Sequence, residues 1–253
     1  MKSKHDIIWI DSTDSTNDEA RRRFSELDNL SVLTAQRQTY GRGQVGNLWS
    51  SAPGENLTFS IIMKFGDGLM PEVRAIDQFV ISEVAALSVV DLLAAHDIEG
   101  KIKWPNDIYV ENKKICGILI ENALMGHNLV SSIIGIGLNV NQTCFDPSLP
   151  NPTSIAICSK TLPLPELMEE FMDIFKAYCS RYLNITGGYT RLGRLYLSQL
   201  WRINEEHSYI NLIDNETFTG IIKGISEVGN IIIEDKEKGE LKEFAFKEIG
   251  YII

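Results

Sequence analysis

After Trp201 the sequence changes pattern, and that change constrains the fold more than any other single feature. Short β-rich runs at 209–213 (YINLI), 218–225 (FTGIIKGI), 230–235 (NIIIED) and 241–246 (LKEFAF) are punctuated by Asp214-Asn215, Gly229-Asn230 and Lys238-Gly239. Turn residues at that spacing join antiparallel strands. The last fifty or so residues are therefore expected to form a compact all-β unit, the size of a small barrel. The boundary is placed near 203–207, giving units at 1–204 and 205–253.

The residues before the boundary mix strands and helices. Apolar runs at 7–10, 31–35, 56–64, 101–104, 107–110, 115–121 and 129–140 read as strands. The clearest helix covers 72–95, where Val73, Ile76, Val80, Val84 and Leu87 recur at three- and four-residue spacing. A shorter helix is expected from Asp14 to about Leu27, with Thr16 and Glu19 fitting a capping box. Two more are expected at 164–183 and 188–200. The segments 37–55 and 141–163 read as loops.

Composition narrows the class. Of 253 residues 44% are hydrophobic and 23% charged, as in an ordinary globular enzyme. A net charge of −10 argues against a broad nucleic-acid-binding face. Cys116, Cys144, Cys158 and Cys179 form no C-x-x-C pair, and His5, His96, His127 and His207 are scattered, so no zinc site is expected. The opening MKSKHDIIWIDST lacks the apolar run of a signal peptide, and no stretch is read as a membrane span, so a cytoplasmic location is expected.

Several motifs suggest chemistry. Residues 41–46 (GRGQVG) fit G-x-G-x-x-G, but the following NLWSSAPG opens no helix, so a dinucleotide fingerprint is not indicated. No H-R-D or D-F-G accompanies the loop, so a protein kinase is not indicated either. A flexible surface turn is the plain alternative. Glycines, however, let backbone N–H groups approach an anion, Arg42 can fork to a carboxylate or phosphate, and Trp49 can stack on a purine. In KWPND (103–107), a lysine stands at a rigid turn beside tryptophan and proline; it is either a placed cation or a solvated strand end. Asn106 and Asp107 can simply cap that turn. Gly117 sits inside a strand, where glycine marks a close backbone approach or an incidental bulge, and Gly135 and Gly137 mark either a similar approach or a packed strand that meets a large side chain.

Taken in order, these blocks resemble biotin protein ligases along nearly the whole chain from Ile8. Ser15-Thr16-Asn17 is similar to the family's early S-T-N. GRGQVGNLWSSAPGENLTFS (41–60) resembles its glycine- and arginine-rich signature. KWPNDIYV (103–110), KKICGILIE (113–121) and GIGLNVN (135–141) resemble its later blocks.

The resemblance implies an α/β (α+β) catalytic domain with a mixed sheet, like that of class II aminoacyl-tRNA synthetases, followed by a small β-barrel. It implies activation of biotin by ATP with Mg²⁺, then transfer to a lysine of a biotin carboxyl carrier protein. Carried over by position, Ser15, Thr16, Asn17, Gln38, Arg42, Gly43, Gln44, Lys103, Lys114 and Gly117 would meet biotin. Arg42, Trp49, Asn106 and Asn139 would meet ATP, and Lys103 and Arg42 would be the catalytic cations.

Two departures stand out. Gln44 replaces a common arginine, with Asn47 at the next basic place, and the DNA-binding module that some members carry in front is not seen. No nucleic acid and no membrane partner are expected, and the chain is expected to be a monomer or homodimer. A lipoate or octanoate ligase of the same superfamily, and a non-catalytic vitamin-binding module, are the rival readings.

Overall fold

The computed structural model describes residues 4–44, 47–66 and 70–253. Val45 and Gly46 of the glycine motif, and the first three residues of the N-terminal segment, lie outside the described residues.

In chain order the first part runs β1 (Ile7–Thr13), α1 (Thr16–Arg22), β2 (Val32–Gln38), β3 (Leu57–Lys64), β4 (Val73–Arg74), a 3₁₀ turn (Ala75–Asp77) and α2 (Phe79–Ala95). Next come β5 (Lys101–Lys103), β6 (Asp107–Val110), β7 (Lys113–Met125), β8 (Asn128–Leu138), α3 (Ile155–Cys158), α4 (Leu164–Tyr178), a π-helical turn (Cys179–Leu183) and α5 (Gly188–Ser198). The sheet order is β1-β2-β3-β8-β7-β6-β5, with β4 paired to β8. Only the β1–β2 pair is parallel among the described ladders, so the sheet is mixed, as expected.

The period-2 alternation of the strands sorts residues onto two faces. On β3, Leu57, Phe59, Ile61 and Met63 join the large core beneath α2 and α4, whereas Ile62 joins a small cluster with Ala20 and Leu27 on the α1 side. Thr58 and Ser60 share that second face and are buried there. Buried hydroxyls need partners, and Ser60 finds them on α1.

Helix α2 is apolar over most of its surface, with Glu83 and Asp91 its two charged residues, which suits a helix largely buried in the core. By length and composition 75–95 would also pass for a membrane span, contrary to the sequence reading. Its side chains from Val80 to Leu93 are instead largely buried in the core. The stretch is therefore the core helix of the domain.

The final part runs β9 (Glu206–Asn211), β10 (Glu216–Ile225), β11 (Ile231–Asp235), β12 (Glu240–Phe244) and β13 (Ile249–Tyr251). These strands form a separate antiparallel sheet in the order β12-β11-β10-β9-β13. It packs on the first part: Trp104 Nε1 donates to the Gly229 carbonyl at 2.9 Å, and one continuous hydrophobic cluster includes residues of both sheets, such as Ile102 and Tyr209.

Some local expectations are corrected. The capping box is absent: Ser15 is the N-cap, while Thr16 Oγ1 accepts from Ser60 and Glu19 pairs with Arg22. Helix α1 stops at Arg22 rather than Leu27. Val73 is not helical; the ladder to Leu129 draws it into β4 and delays the helix to Phe79. The 141–163 loop holds the short α3, capped by Ser154.

Candidate active site

Three glycines form the floor of the site. In the β7–β8 register Gly117 faces Gly137 and Leu119 faces Gly135, so all four lie on the α1 side of the sheet. A Cβ at Gly135 would collide with the Asn17 amide, and one at Gly137 with the Trp49 indole. One at Gly117 would stand 3.1 Å from the Trp49 ring. Gly117 thus marks a close approach to Trp49, while Gly135 and Gly137 meet the side chains of Asn17 and Trp49, which is the plain reading of a packed strand against a large side chain.

Above this floor lies a cavity of about 550 Å³. Its wall includes Ser15, Thr16, Asn17, Gln38, Arg42, Gly43, Gln44, Trp49, Lys103, Asn106, Lys114 and Gly117, twelve of the thirteen residues singled out from sequence. Asn139 stands apart. It is buried, its Nδ2 donates to the Thr153 carbonyl at 2.9 Å, and it does not line the cavity.

Part of the cavity wall is a row of neutral polar side chains. Ser60 Oγ donates toward Thr16 Oγ1 at 2.8 Å and Asn17 Oδ1 at 2.6 Å, and the Thr16 N–H donates to Gln38 Oε1 at 2.8 Å. Asn17 Nδ2 donates to Glu121 Oε2 at 2.8 Å. This row is fixed by its own hydrogen bonds and can present donors and acceptors to a neutral polar ring.

Cationic side chains line the same cavity, and Arg42 shares the Glu121 carboxylate with Asn17. Arg42 donates to Asp18 Oδ1 at 2.6 Å and to Glu121 Oε1 at 2.7 Å, so carboxylates already hold two of its nitrogens. Burial lowers its pKa, but the two acids outweigh that and raise it overall, so the side chain stays charged. Lys114 pairs with Asp107 at 2.7 Å. Lys103 differs: among the described residues it forms no ion pair. Its Nζ lies 5.0 Å from the centre of the Tyr109 ring and 4.8 Å from that of Tyr251. Burial holds its pKa below the ordinary lysine value. An ammonium in that position favours any anion that enters.

Trp49 is held by its backbone N–H donating to the Gly41 carbonyl at 2.8 Å. Its Nε1 is enclosed and has no acceptor among the described residues. Asn106 is committed to the Ile118 carbonyl on β7 at 2.7 Å, a cross-strand bond rather than the cap of its own turn.

Sequence reasoning missed part of the wall. Leu212, Phe246, Lys247 and Tyr251 of the C-terminal unit line the same cavity. It also missed Ser60, Asp18 and Glu121, which orient the first-named residues. Glu121 closes the KKICGILIE block, and that position was a signal available in the sequence.

Comparison with known proteins agrees with this geometry. The sequence model of the Biotin/lipoate A/B protein ligase family matches residues 9–139. The chain is 31% identical over 237 residues to the bifunctional ligase/repressor BirA of Bacillus spizizenii, covering 91% of this chain and 70% of that protein. It is 27% identical to the biotin–[acetyl-CoA-carboxylase] ligase of Paracoccus denitrificans, covering 87% of this chain and 91% of that one. It spans 64% of the length of the chloroplastic biotin–protein ligase 1 of Arabidopsis thaliana, at 28% identity. The biotin protein ligase of Aquifex aeolicus, solved with biotin and ATP, superposes with a TM-score of 0.77 at 25% identity, covering 99% of this chain and 98% of that one. The chain belongs to the biotin/lipoate A/B protein ligase family.

Proposed function

We propose that this chain is an ATP-dependent biotin protein ligase. The observation that carries the reading is Lys103: a half-buried cation without a carboxylate partner, in one cavity with a fixed neutral polar row and a tryptophan over a glycine floor. Biotin suits that division. Its ureido ring is neutral and polar and needs paired donors and acceptors when buried, as Ser15, Thr16, Asn17 and Gln38 can supply. Its carboxylate needs a cation.

In the first step a biotin carboxylate oxygen attacks the α-phosphorus of ATP. The new P–O bond forms as the bond to the bridging oxygen breaks, and pyrophosphate leaves. Both reactants are anionic, so the protein's tasks are alignment and neutralisation. Lys103 is assigned to the carboxylate and α-phosphate. Arg42 is assigned to the phosphate side, with its carboxylate partners fixing its direction. Gln44, in place of a common arginine, adds a hydrogen-bond donor without charge.

In the second step the amine of an acceptor lysine attacks the acyl carbon, the bond to the phosphate oxygen breaks, and AMP leaves. The acceptor is proposed to be the carrier domain of a biotin-dependent carboxylase. Trp49 is assigned to the adenine; Asn139, away from the wall, could act on the nucleotide only indirectly, through the segment around Thr153.

Mg²⁺ is proposed to enter with ATP as part of the substrate. Among the described residues no group of three His, Cys, Asp or Glu side chains gathers as candidate ligands, and Asp107 is paired with Lys114. We further propose 1–204 and 205–253 as the two units, acting in the cytoplasm without nucleic acid.

The test is incubation with ATP, Mg²⁺ and either biotin or lipoate, followed by pyrophosphate measurement. Release with biotin alone is expected. Release with lipoate alone would give the rival ligase, and release with neither would leave a binding module.

A further inference from the structure

Lys103 enters the cavity between two aromatic rings, one of which comes from the other sheet. Tyr109 stands on β6 and Tyr251 on β13. Both rings are fixed from behind. Trp201 packs 5.1 Å from Tyr109 and 5.8 Å from Tyr251, and Tyr209 meets Tyr251 edge-on at 5.6 Å.

The hydroxyl of Tyr251 is enclosed and has no hydrogen-bond partner among the described residues. Enclosing a phenol in this way is unfavourable, so packing alone would favour phenylalanine there. The face of the ring carries negative charge density and attracts an ammonium.

The other charged groups around Lys103 do not do this work. Asp107 favours the ammonium, but its carboxylate is held by Lys114. Lys114 and Arg202 oppose the charge, and Lys247 lines the same cavity.

We propose that Tyr251 is a positioning residue for the activation step: with Tyr109 it keeps Lys103 protonated and aimed into the cavity, so that the C-terminal sheet completes the reaction centre. The step named here rests on the biotin-ligase reading, whereas the aromatic clamp itself does not.

The test reads Lys103 directly. The full-length protein is labelled briefly with an amine-reactive anhydride across a pH series, and the extent at Lys103 is measured by mass spectrometry. Burial already lowers the Lys103 pKa, and losing the ring should lower it further. Tyr251→Leu is therefore expected to bring the labelling midpoint down by about one pH unit. Tyr251→Phe should stay within a few tenths of wild type. A fluorinated phenylalanine at 251, of the same shape but with a depleted ring face, should behave like Tyr251→Leu.

An unfolded Tyr251→Leu protein would shift the other way, toward the ordinary lysine midpoint, and the phenylalanine and fluorophenylalanine proteins would then decide. A common midpoint for wild type and those two would overturn the proposal. The alkaline limb of biotin-dependent pyrophosphate release should move with the labelling midpoint. Absence of that release in wild type would count against the function, while the labelling comparison would still judge Tyr251.

Discussion

A buried ammonium without a counter-charge is costly until an anion arrives. Lys103 is half-buried and forms no ion pair among the described residues, so its stability and activity effects should separate. Lys103→Met keeps most of the length of the side chain and removes the charge. Adenylate formation should fall by about 10²-fold or more, the scale of a lost electrostatic donor. The fold should be no less stable in urea. A variant with near-normal pyrophosphate release would remove Lys103 from the mechanism.

The same residue gives a pH signature. Its folded-state pKa lies below the ordinary lysine value of 10.5. Between those two values the unfolded chain binds more protons, so the Lys103 contribution to stability rises with pH across that window. Activity, which needs the ammonium, should fall across the same window. Gly137 supplies a complementary test. In Gly137→Ala the new methyl meets Trp49, so about 1–3 kcal/mol of stability should be lost. The KM for ATP should rise, and the intrinsic fluorescence of Trp49 should change. An unchanged KM would mean that Trp49 does not meet the nucleotide.

At the level of elements, the seam between α2 and α5 holds a carboxyl group. Glu83 points toward Gly193, where a Cβ would come within 3.3 Å of its Oε1, and burial pushes its pKa up to about 8. The folded state therefore binds a proton that the unfolded chain has released above the ordinary value of 4.5. The stability from this group is present at low pH and is lost as pH rises toward 8. Glu83→Gln should remove that slope, so its advantage over wild type should grow from pH 5 to pH 8 in urea denaturation. A constant difference would mean that Glu83 is ionised in the fold.

The elements also show what the sequence can specify. Apolar runs located β3, β7 and β8, and on β3 the run is unbroken because both faces are buried. The 3.6 period located α2 but not its start, since Val73 and Ile76 continue the spacing while β8 claims Val73 as a strand partner. The capping box failed because Thr16 is drawn to Ser60, a contact made across 44 residues that local spacing cannot reveal.

Over the whole molecule, the motif blocks brought together most of the cavity wall. The contribution of the last strand was not legible. Tyr251 carries no motif, and only the docking of the two sheets, through Trp104, Trp201 and Gly229, brings it to Lys103. The shared hydrophobic cluster predicts that both sheets unfold together. Far-ultraviolet circular dichroism and tryptophan fluorescence should therefore give one coincident urea transition; two separated transitions would mean that the C-terminal sheet is independent.

The central claim is that this cavity joins the carboxylate of biotin to the α-phosphate of ATP before any acceptor lysine is needed. Isotope exchange between labelled pyrophosphate and ATP, with carrier protein absent, tests it most directly. Exchange is expected that requires biotin and is abolished by Lys103→Met. Exchange independent of biotin, or its absence from the wild-type protein, would contradict the claim.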